Sequence, residues 1–229
     1  MKQEQQILQN DKLRVVSVGY NSFLKDDIMI LYEDKEIVVC IKERGVLSQQ
    51  GKPGQKSMID ILSVVCNCEI YPVHRLDKEV GGVMVYAKTK TAAANLSSQV
   101  SNREMEKHYI ATTEKSSLEA EGIMEDLLFF DKGKNKSFVV KKERRGVKKA
   151  ILEYKEISSD GDRSQFFVRL HTGRTHQIRV QFASRRFPLI GDRKYGSKID
   201  GKIGLVSCFI GFRHPKTGEW LEFRHPEYI

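Results

Sequence analysis

Short apolar runs separated by polar turns dominate this chain. The runs 28–32 and 37–41 lie close together, and a third run, 83–87, follows the glycine pair Gly81 and Gly82. Continuous apolar runs of this length, bounded by turn residues, are typical of strands that are buried on both faces. We therefore expect a strand at each of these three segments, with 37–41 and 83–87 in buried positions.

Most other segments also predict strands joined by tight turns. The polar residues 158–162 separate two such segments and indicate a hairpin. Strands are expected near 13–18 and at 107–113, 122–130, 136–140, 150–157, 165–170, 204–212 and 220–223.

Helices are fewer than strands. Ser57 suits an N-cap because Asp60 follows three residues later, and Thr172 or Thr175 is expected to cap a later helix. The helices are expected at 57–66, 91–102 and 175–185.

The balance of elements predicts the fold class. Because strands outnumber helices and short turns join most neighbours, we predict an α+β fold with a mixed, largely antiparallel central sheet and flanking helices. Residues 1–26 are polar and irregular and are expected to form an N-terminal extension, with 27–229 as a single domain. The two halves of that domain are expected to flank a cleft.

The charge of the chain narrows the choice of partner. Among 229 residues, lysine and arginine number 39 and the acids 30, so the net charge is +9. This excess fits a polyanionic partner such as nucleic acid, although solubility alone would explain it equally well. The basic segments 132–136, 141–149, 185–186 and 193–194 are each typical of a solvated surface. Together they indicate a surface that follows phosphates.

The cysteines and the apolar content exclude several classes. Cys40 and Cys208 lie in apolar runs and are expected in the core, while Cys66 and Cys68 form a C-x-C without a second pair to complete a zinc site. We expect four free thiols, no metal and no membrane-spanning segment. Since the first residues carry no signal-peptide core, we expect a cytoplasmic protein.

Asp77 is the first candidate for chemistry. It follows His74 and Arg75 and precedes the glycine pair and the buried run 83–87. This order places a carboxylate just before the start of a strand. A turn aspartate that only caps its neighbours would have similar surroundings. The flanking cationic residues favour the other interpretation, because a fixed and ionised carboxylate can act as a nucleophile.

The segment after residue 172 supplies further candidates. His176 and Arg179 are three residues apart and share a helical face, while Ile178 is expected to face the core. The segment is either a surface helix with basic ends or the source of a salt bridge from Arg179 to Asp77, a task that suits a permanently charged side chain. Tyr109, in a predicted strand, is either a core residue or an aromatic that stacks on a base.

Several sequence motifs that occur together and in order resemble the RluA-type family of RNA pseudouridine synthases. The similarity extends from about Ile28 to Phe223, nearly the whole chain. The motifs are residues 30–42, His74-Arg-Leu-Asp77, Lys107-His-Tyr109, the segment from His171 to Arg179 and the segment from Pro188 to Gly196.

The resemblance implies a pseudouridine synthase-like fold and an isomerase that needs neither metal nor cofactor. Such an enzyme breaks the C1′–N1 bond of a uridine in ribosomal or transfer RNA and rejoins the base through C5. Asp77 would be the catalytic aspartate, which attacks the sugar or deprotonates it. Tyr109 would stack on the base and assist loss of the C5 proton, and Arg179 would hold Asp77. The substrate-binding residues would be His74, Arg75, Arg174, His176 and Ile178, and we expect a monomer.

The target base must leave its stack to reach Asp77, and Arg75 is expected to fill the vacated space. The chain departs from the family in having Lys42-Glu43 for Lys-Pro, Val80-Gly81-Gly82 for Thr-Ser-Gly, and Gln181 where histidine is common. None of these changes removes a catalytic residue. Residues 1–26 are too few for the S4-type domain of many relatives, so RNA recognition is expected to rest on the catalytic domain.

Two other classes fit the sequence less well. One is a non-catalytic RNA-binding protein on the same fold, but such a protein has no need for an acid like Asp77 beside Tyr109 and Arg179. The other is a glycosidase, which normally needs two carboxylates, and no second acid stands out in these motifs.

Overall fold

A computed structural model describes residues 23–25, 28–114 and 116–228. The strands within these ranges are β1 (Phe23–Lys25), β2 (Ile28–Glu33), β3 (Ile37–Lys42), β4 (Tyr71–Pro72), β5 (Gly81–Ala87), β6 (Glu106–Glu114), β7 (Glu121–Asp131), β8 (Lys136–Val140), β9 (Val147–Asp160), β10 (Arg163–Leu170), β11 (Leu205–Arg213) and β12 (Trp220–Arg224). The helices are α1 (Met58–Cys66), α2 (Lys90–Asn102) and α3 (Gln177–Ser184).

All of these strands belong to one sheet. Its order is β1-β2-β3-β5-β11-β6-β10-β9-β7-β8, with β4 beside β5 and β12 beside β11. Among the described strands only β5 and β11 pair in parallel. The predicted α+β class with a mixed, largely antiparallel sheet is therefore confirmed. The strand β1 falls within the predicted extension, and the strand predicted near 13–18 lies outside the described residues.

The continuous apolar runs are buried on both faces of the sheet, as predicted. In β3, Val38 and Cys40 pack in the same cluster as buried residues of α1 and α3, whereas Val39 and Ile41 pack with α2 on the other face. All of β5 is buried as well. The helices therefore cover both faces of the centre of the sheet.

The start of α1 follows the sequence prediction, and the start of α3 does not. Ser57 caps α1, since its Oγ accepts from the Asp60 N–H at 3.3 Å. The helix α3 begins two residues later than expected, and neither threonine caps it. Its N-cap is His176, which has φ 54° and makes no side-chain cap hydrogen bond. Thr172 instead uses its hydroxyl to accept from the Ile151 N–H at 2.8 Å, which ties the loop to β9.

The predicted hairpins are present, with longer strands than expected. The strands β9 and β10 pair antiparallel with an irregularity between Gln165 and Phe166, and β7 pairs with both β8 and β9. Cys40 and Cys208 are buried, as predicted, and all four cysteines are free thiols. None of the helices in the described part of the chain combines the length and apolar character that crossing a bilayer requires.

Candidate active site

A cleft of about 550 Å³ opens beside β6, between the end of α2 and the loop that precedes α3. This volume is in the usual range for a site that takes a small ligand or one unit of a polymer. The eight site residues predicted from the sequence all line it: His74, Arg75, Asp77, Tyr109, Arg174, His176, Ile178 and Arg179.

The backbone around Asp77 is fixed on both sides. Before it, the Ser48 hydroxyl donates to the Leu76 carbonyl at 2.9 Å and accepts from the Leu76 N–H at 3.0 Å. After it, the Lys78 carbonyl accepts from the Lys42 ammonium at 3.2 Å. The carboxylate is therefore carried on a turn with little freedom to move.

Lys42 is a buried cation that organises this turn. Its Nζ also donates to the carbonyls of Glu43 and Val46, at 2.9 and 2.8 Å. Burial lowers the pKa of Lys42 to about 8, partly offset by nearby acids that include Glu79 and Asp77. The Lys42 side chain therefore holds the turn after β3. This chain has Glu43 in that turn, at the position where the sequence motif of the family usually has proline.

Asp77 pairs with Arg179, which a second carboxylate also holds. Arg179 Nη1 donates to Asp77 Oδ2 at 2.8 Å, while its Nε and Nη2 donate to Asp192 at 2.6 and 2.9 Å. Burial alone would lower the pKa of Arg179, but the hydrogen bonds that it donates to Asp192 and then to Asp77 outweigh burial and raise that pKa. The guanidinium is therefore permanently charged and fixed in plane.

The residues that neighbour Asp77 in sequence are not the ones that contact it. No hydrogen bond or ion pair joins Asp77 to Arg75 or His74 among the described residues, and its arginine partner comes from α3. His74 Nε2 accepts from the Val85 N–H at 3.2 Å. Burial, and then the charge of Lys107, lower the pKa of His74 to about 3, so this ring is neutral. The cation that pairs with Asp77 is therefore Arg179 and not one of the residues that flank it in sequence.

His176 lies between Asp77 and Tyr195. Its Nδ1 is 2.9 Å from the Tyr195 hydroxyl, which also accepts from the Ser137 N–H at 2.8 Å. Since this hydroxyl already accepts from Ser137, we assign it as the donor to Nδ1, which puts the proton of the neutral ring on Nε2, 3.7 Å from Asp77 Oδ2. Burial lowers the pKa of His176 to about 4, against the opposing effect of Asp77. At neutral pH the ring therefore presents a neutral N–H dipole toward the carboxylate.

Tyr109 belongs to both the core and the cleft. The ring is 6% exposed and packs in the same cluster as Ile178, and both residues line the cleft. Burial, and then the charge of Asp77, raise the pKa of Tyr109. The phenol is therefore protonated at neutral pH, which leaves an aromatic surface with a hydroxyl beside the carboxylate.

Sequence reasoning missed several residues of the site. Arg103 and Lys107 also line the cleft, and among the described lining residues Asp77 is the only acid. Lys107 is two residues before Tyr109 in a strand, so the shared face could have been read from the sequence. Asp192 and Tyr195 lie in the motif 188–196, but nothing in that motif identifies Arg179 as their neighbour.

The hairpin of β7 and β8 docks directly on the loop that forms one wall of the cleft. The Ser137 hydroxyl donates to the Thr175 carbonyl at 2.5 Å, and Lys136 Nζ donates to the Lys194 carbonyl at 2.6 Å. Arg174 Nε donates to the Lys149 carbonyl at 3.0 Å, which joins the same loop to β9. These contacts bring the basic segments 132–136 and 141–149 next to the site.

Comparison with known proteins gives the class to which this fold and site belong. Residues 36–184, which contain Asp77, Tyr109 and Arg179, match the family described as RNA pseudouridylate synthase. An uncharacterized RNA pseudouridine synthase of Aquifex aeolicus is 36% identical over 223 residues, which is 87% of this chain and 69% of that protein. The ribosomal large subunit pseudouridine synthase D of Borreliella burgdorferi is 33% identical over 194 residues, 80% of this chain and 59% of that protein.

Solved structures agree on the fold. The human RNA pseudouridylate synthase domain containing 4 superposes with a TM-score of 0.71 at 23% identity, over 87% of this chain and 89% of that one. The chain therefore belongs to the RNA pseudouridine synthase family, of the RluA type that its motifs resemble. It is an isomerase that acts on uridine in RNA.

Proposed function

We propose that Asp77 is the catalytic carboxylate of this pseudouridine synthase, that Arg179 holds it, and that Tyr109 stacks on the target uracil. The single observation that carries this proposal is the pairing of Asp77 with Arg179 at 2.8 Å inside the cleft. A buried guanidinium fixes the direction of the carboxylate through a charge-assisted hydrogen bond. The carboxylate side chain is 18% exposed, so a ligand in the cleft can reach it.

The reaction needs one bond to break and another to form at C1′ of the ribose. Asp77 either bonds to C1′ while the C1′–N1 electron pair leaves with the base, or takes a proton from the sugar. The base then turns, and C5 bonds to C1′ as the Asp77–C1′ bond breaks or, in the second case, as the proton returns from Asp77 to the sugar. The C5 proton is then lost and N1 takes up a proton. Tyr109 is protonated, so it supports this step as a stacking surface and a hydrogen-bonding hydroxyl.

The remaining predicted residues are proposed to bind the flipped nucleotide. Arg75 and Arg174 line the cleft as cations suited to phosphates, and Ile178 supplies an apolar contact to the base. His74 and His176 are neutral at pH 7 and would donate hydrogen bonds. Arg75 would occupy the space that the base leaves.

Ribosomal RNA is the first substrate to test, with transfer RNA as the second. The name of the Borreliella burgdorferi relative refers to the ribosomal large subunit. We further propose that residues 27–229 form the catalytic domain, and that the protein is a cytoplasmic monomer that needs no metal or cofactor.

Tritium release from RNA labelled at C5 of uridine tests the role of Asp77. We expect Asp77→Asn to reduce release at least about 10³-fold, because the amide can neither attack the sugar nor take its proton. RNA affinity should change less than about threefold, since binding rests on the cations. Release from ribosomal and transfer RNA fractions should be measured separately.

The same assay separates the alternatives. A non-catalytic RNA-binding protein would release no tritium as wild type and would bind RNA equally well as Asp77→Asn. A variant that keeps full turnover but loses RNA binding would contradict the role proposed for Asp77. A glycosidase would release free uracil, which chromatography of the products would detect.

A further inference from the structure

Arg179 contacts its two carboxylates in different ways. Two of its nitrogen atoms, Nε and Nη2, form a fork with Asp192, whereas only Nη1 reaches Asp77. A forked contact fixes the plane and direction of a guanidinium, while a single contact does not. The position of Arg179 is therefore set by Asp192, and Asp77 meets the nitrogen atom that remains.

Asp192 is held by the fold rather than by its partner. It is 1% exposed and does not line the cleft. The preceding Gly191 has φ +71°, and a Cβ there would lie 2.3 Å from the Lys202 carbonyl oxygen, so the turn admits only glycine. The Asp192 carbonyl accepts from the N–H groups of Tyr195 and Ser197, at 3.0 and 3.1 Å.

We propose that Asp192 is a positioning residue for the reaction. It orients Arg179 toward Asp77, and it balances the positive charge of Arg179 when Asp77 loses its negative charge. The proposal rests on the catalytic role proposed for Asp77. While Asp77 is ionised, the three groups carry a net charge of −1. When Asp77 bonds to C1′ or takes a sugar proton, its charge disappears and the group becomes neutral.

Without Asp192, the same step would leave Arg179 as a buried cation without an anionic partner. Burying an unpaired charge is costly, so the barrier of the step would rise. Asp192 also shares the positive charge of Arg179, which leaves Asp77 a more reactive carboxylate than it would be with a guanidinium of its own.

Asp192→Asn tests the proposal because it keeps the size of the side chain and removes its charge. We expect kcat for tritium release to fall at least about 10-fold, with KM for RNA unchanged within about twofold. The charged and titratable groups that face Asp77 otherwise stay in place: Arg179 and His176 from α3 and its N-cap, Tyr109 from β6 and Lys42 from β3.

Asp126→Asn is the matched control. Asp126 accepts from Arg185 at 2.8 Å and from Gln181 at 2.7 Å, so it anchors the same helix without lining the cleft. This variant should keep kcat within about twofold. An equal loss of kcat in both variants would show that Asp192 only stabilises α3 and would overturn the proposal.

A second variant covers the case in which Asp192→Asn does not fold at the assay temperature. In Asp192→Ser, formate should fill the vacated space and restore part of kcat, and chloride at the same ionic strength should not. Equal effects of the two salts would overturn the proposal. Wild-type release and its loss in Asp77→Asn test the proposed function separately, so the failure of one proposal is distinguishable from the failure of the other.

Discussion

Burial sets the charge of three histidines in this protein. It lowers the pKa of His74 to about 3 and the pKa of His108 and His176 to about 4, from an ordinary value of 6.5. The charges of Arg169 and Arg224 add to the effect at His108. In the folded protein these histidines therefore stay neutral at pH values where the same residues bind protons in the unfolded chain.

The stability of the fold should therefore depend on pH in a defined direction. Each of these histidines contributes fully to the free energy of unfolding above about pH 6.5. That contribution is lost as the pH falls toward 4, and the free energy of unfolding then changes by at most about 1.4 kcal/mol per pH unit for each histidine. His108 stacks on Phe209 at 4.5 Å, so His108→Phe keeps an aromatic ring and removes one titrating group.

Urea unfolding at pH 7.5 and 5.5 checks this expectation. The loss of unfolding free energy between the two pH values should be smaller in His108→Phe than in wild type by about 1 kcal/mol. An equal loss in the two proteins would mean that His108 is not kept neutral by the fold. The values at pH 7.5 show the effect of the changed packing alone.

At the scale of elements, the parallel pairing of β5 with β11 depends on Gly82. This residue has φ +122°, and a Cβ there would lie 2.2 Å from the Ser207 carbonyl oxygen on the neighbouring strand. The Ser207 hydroxyl donates to the Val83 carbonyl at 3.1 Å, which locks the two strands together. The pair lies directly after the Asp77 turn, so its geometry also supports the site.

Gly82→Ala should therefore destabilise the protein by about 3 kcal/mol or more, because the methyl group meets rigid backbone and the residue adopts a strained φ. Gly133→Ala is the matched control. Its Cβ would lie 3.4 Å from the flexible Asp131 carboxylate, so we expect a change within about 1 kcal/mol. Chemical unfolding of both variants measures the difference, and similar values would contradict this account of the strand pair.

At the scale of the whole molecule, cations surround a cleft that contains one acid. Arg75, Arg103 and Lys107 lie in the lining, and the ammonium group of Lys107 makes no hydrogen bond or ion pair within the described ranges. Burial lowers the pKa of Lys107. Beyond the rim, the exposed basic segment 141–145 connects β8 to β9. This arrangement favours a strand of RNA that enters the cleft and continues along the hairpin.

Replacing Lys141 and Lys142 together by glutamine should lower the affinity for RNA and should make that affinity depend less on the salt concentration. Loss of two phosphate contacts should lower the slope of log affinity against log salt concentration by about 1.5. Lys35→Gln with Lys90→Gln is the control, because both residues are exposed and neither lines the cleft. Filter binding of ribosomal RNA over a range of KCl concentrations gives the slopes. Equal slopes for the two double variants would place the RNA path elsewhere.

The sequence by itself determined the elements that local rules control. The buried strands β3 and β5, the Ser57 cap of α1 and the hairpin of β9 and β10 follow from apolar runs, capping chemistry and turn residues. The ordered motifs identified the family and eight of the residues that line the cleft. These features depend on residues that are close together along the chain, so their patterns are visible without a structure.

Only the tertiary structure decided which side chains meet. The predicted salt bridge from Arg179 to Asp77 is present, but only the structure shows that Arg75, the neighbour in sequence, does not contact the carboxylate. The N-cap of α3 is His176 rather than a threonine, because Thr172 is engaged by β9. Asp192 could not be linked to Arg179 from spacing, since the contact forms only when the segment after α3 folds back onto that helix. Burial also fixes the charge states of His176 and Lys42, and burial is a property of the packed molecule rather than of any segment.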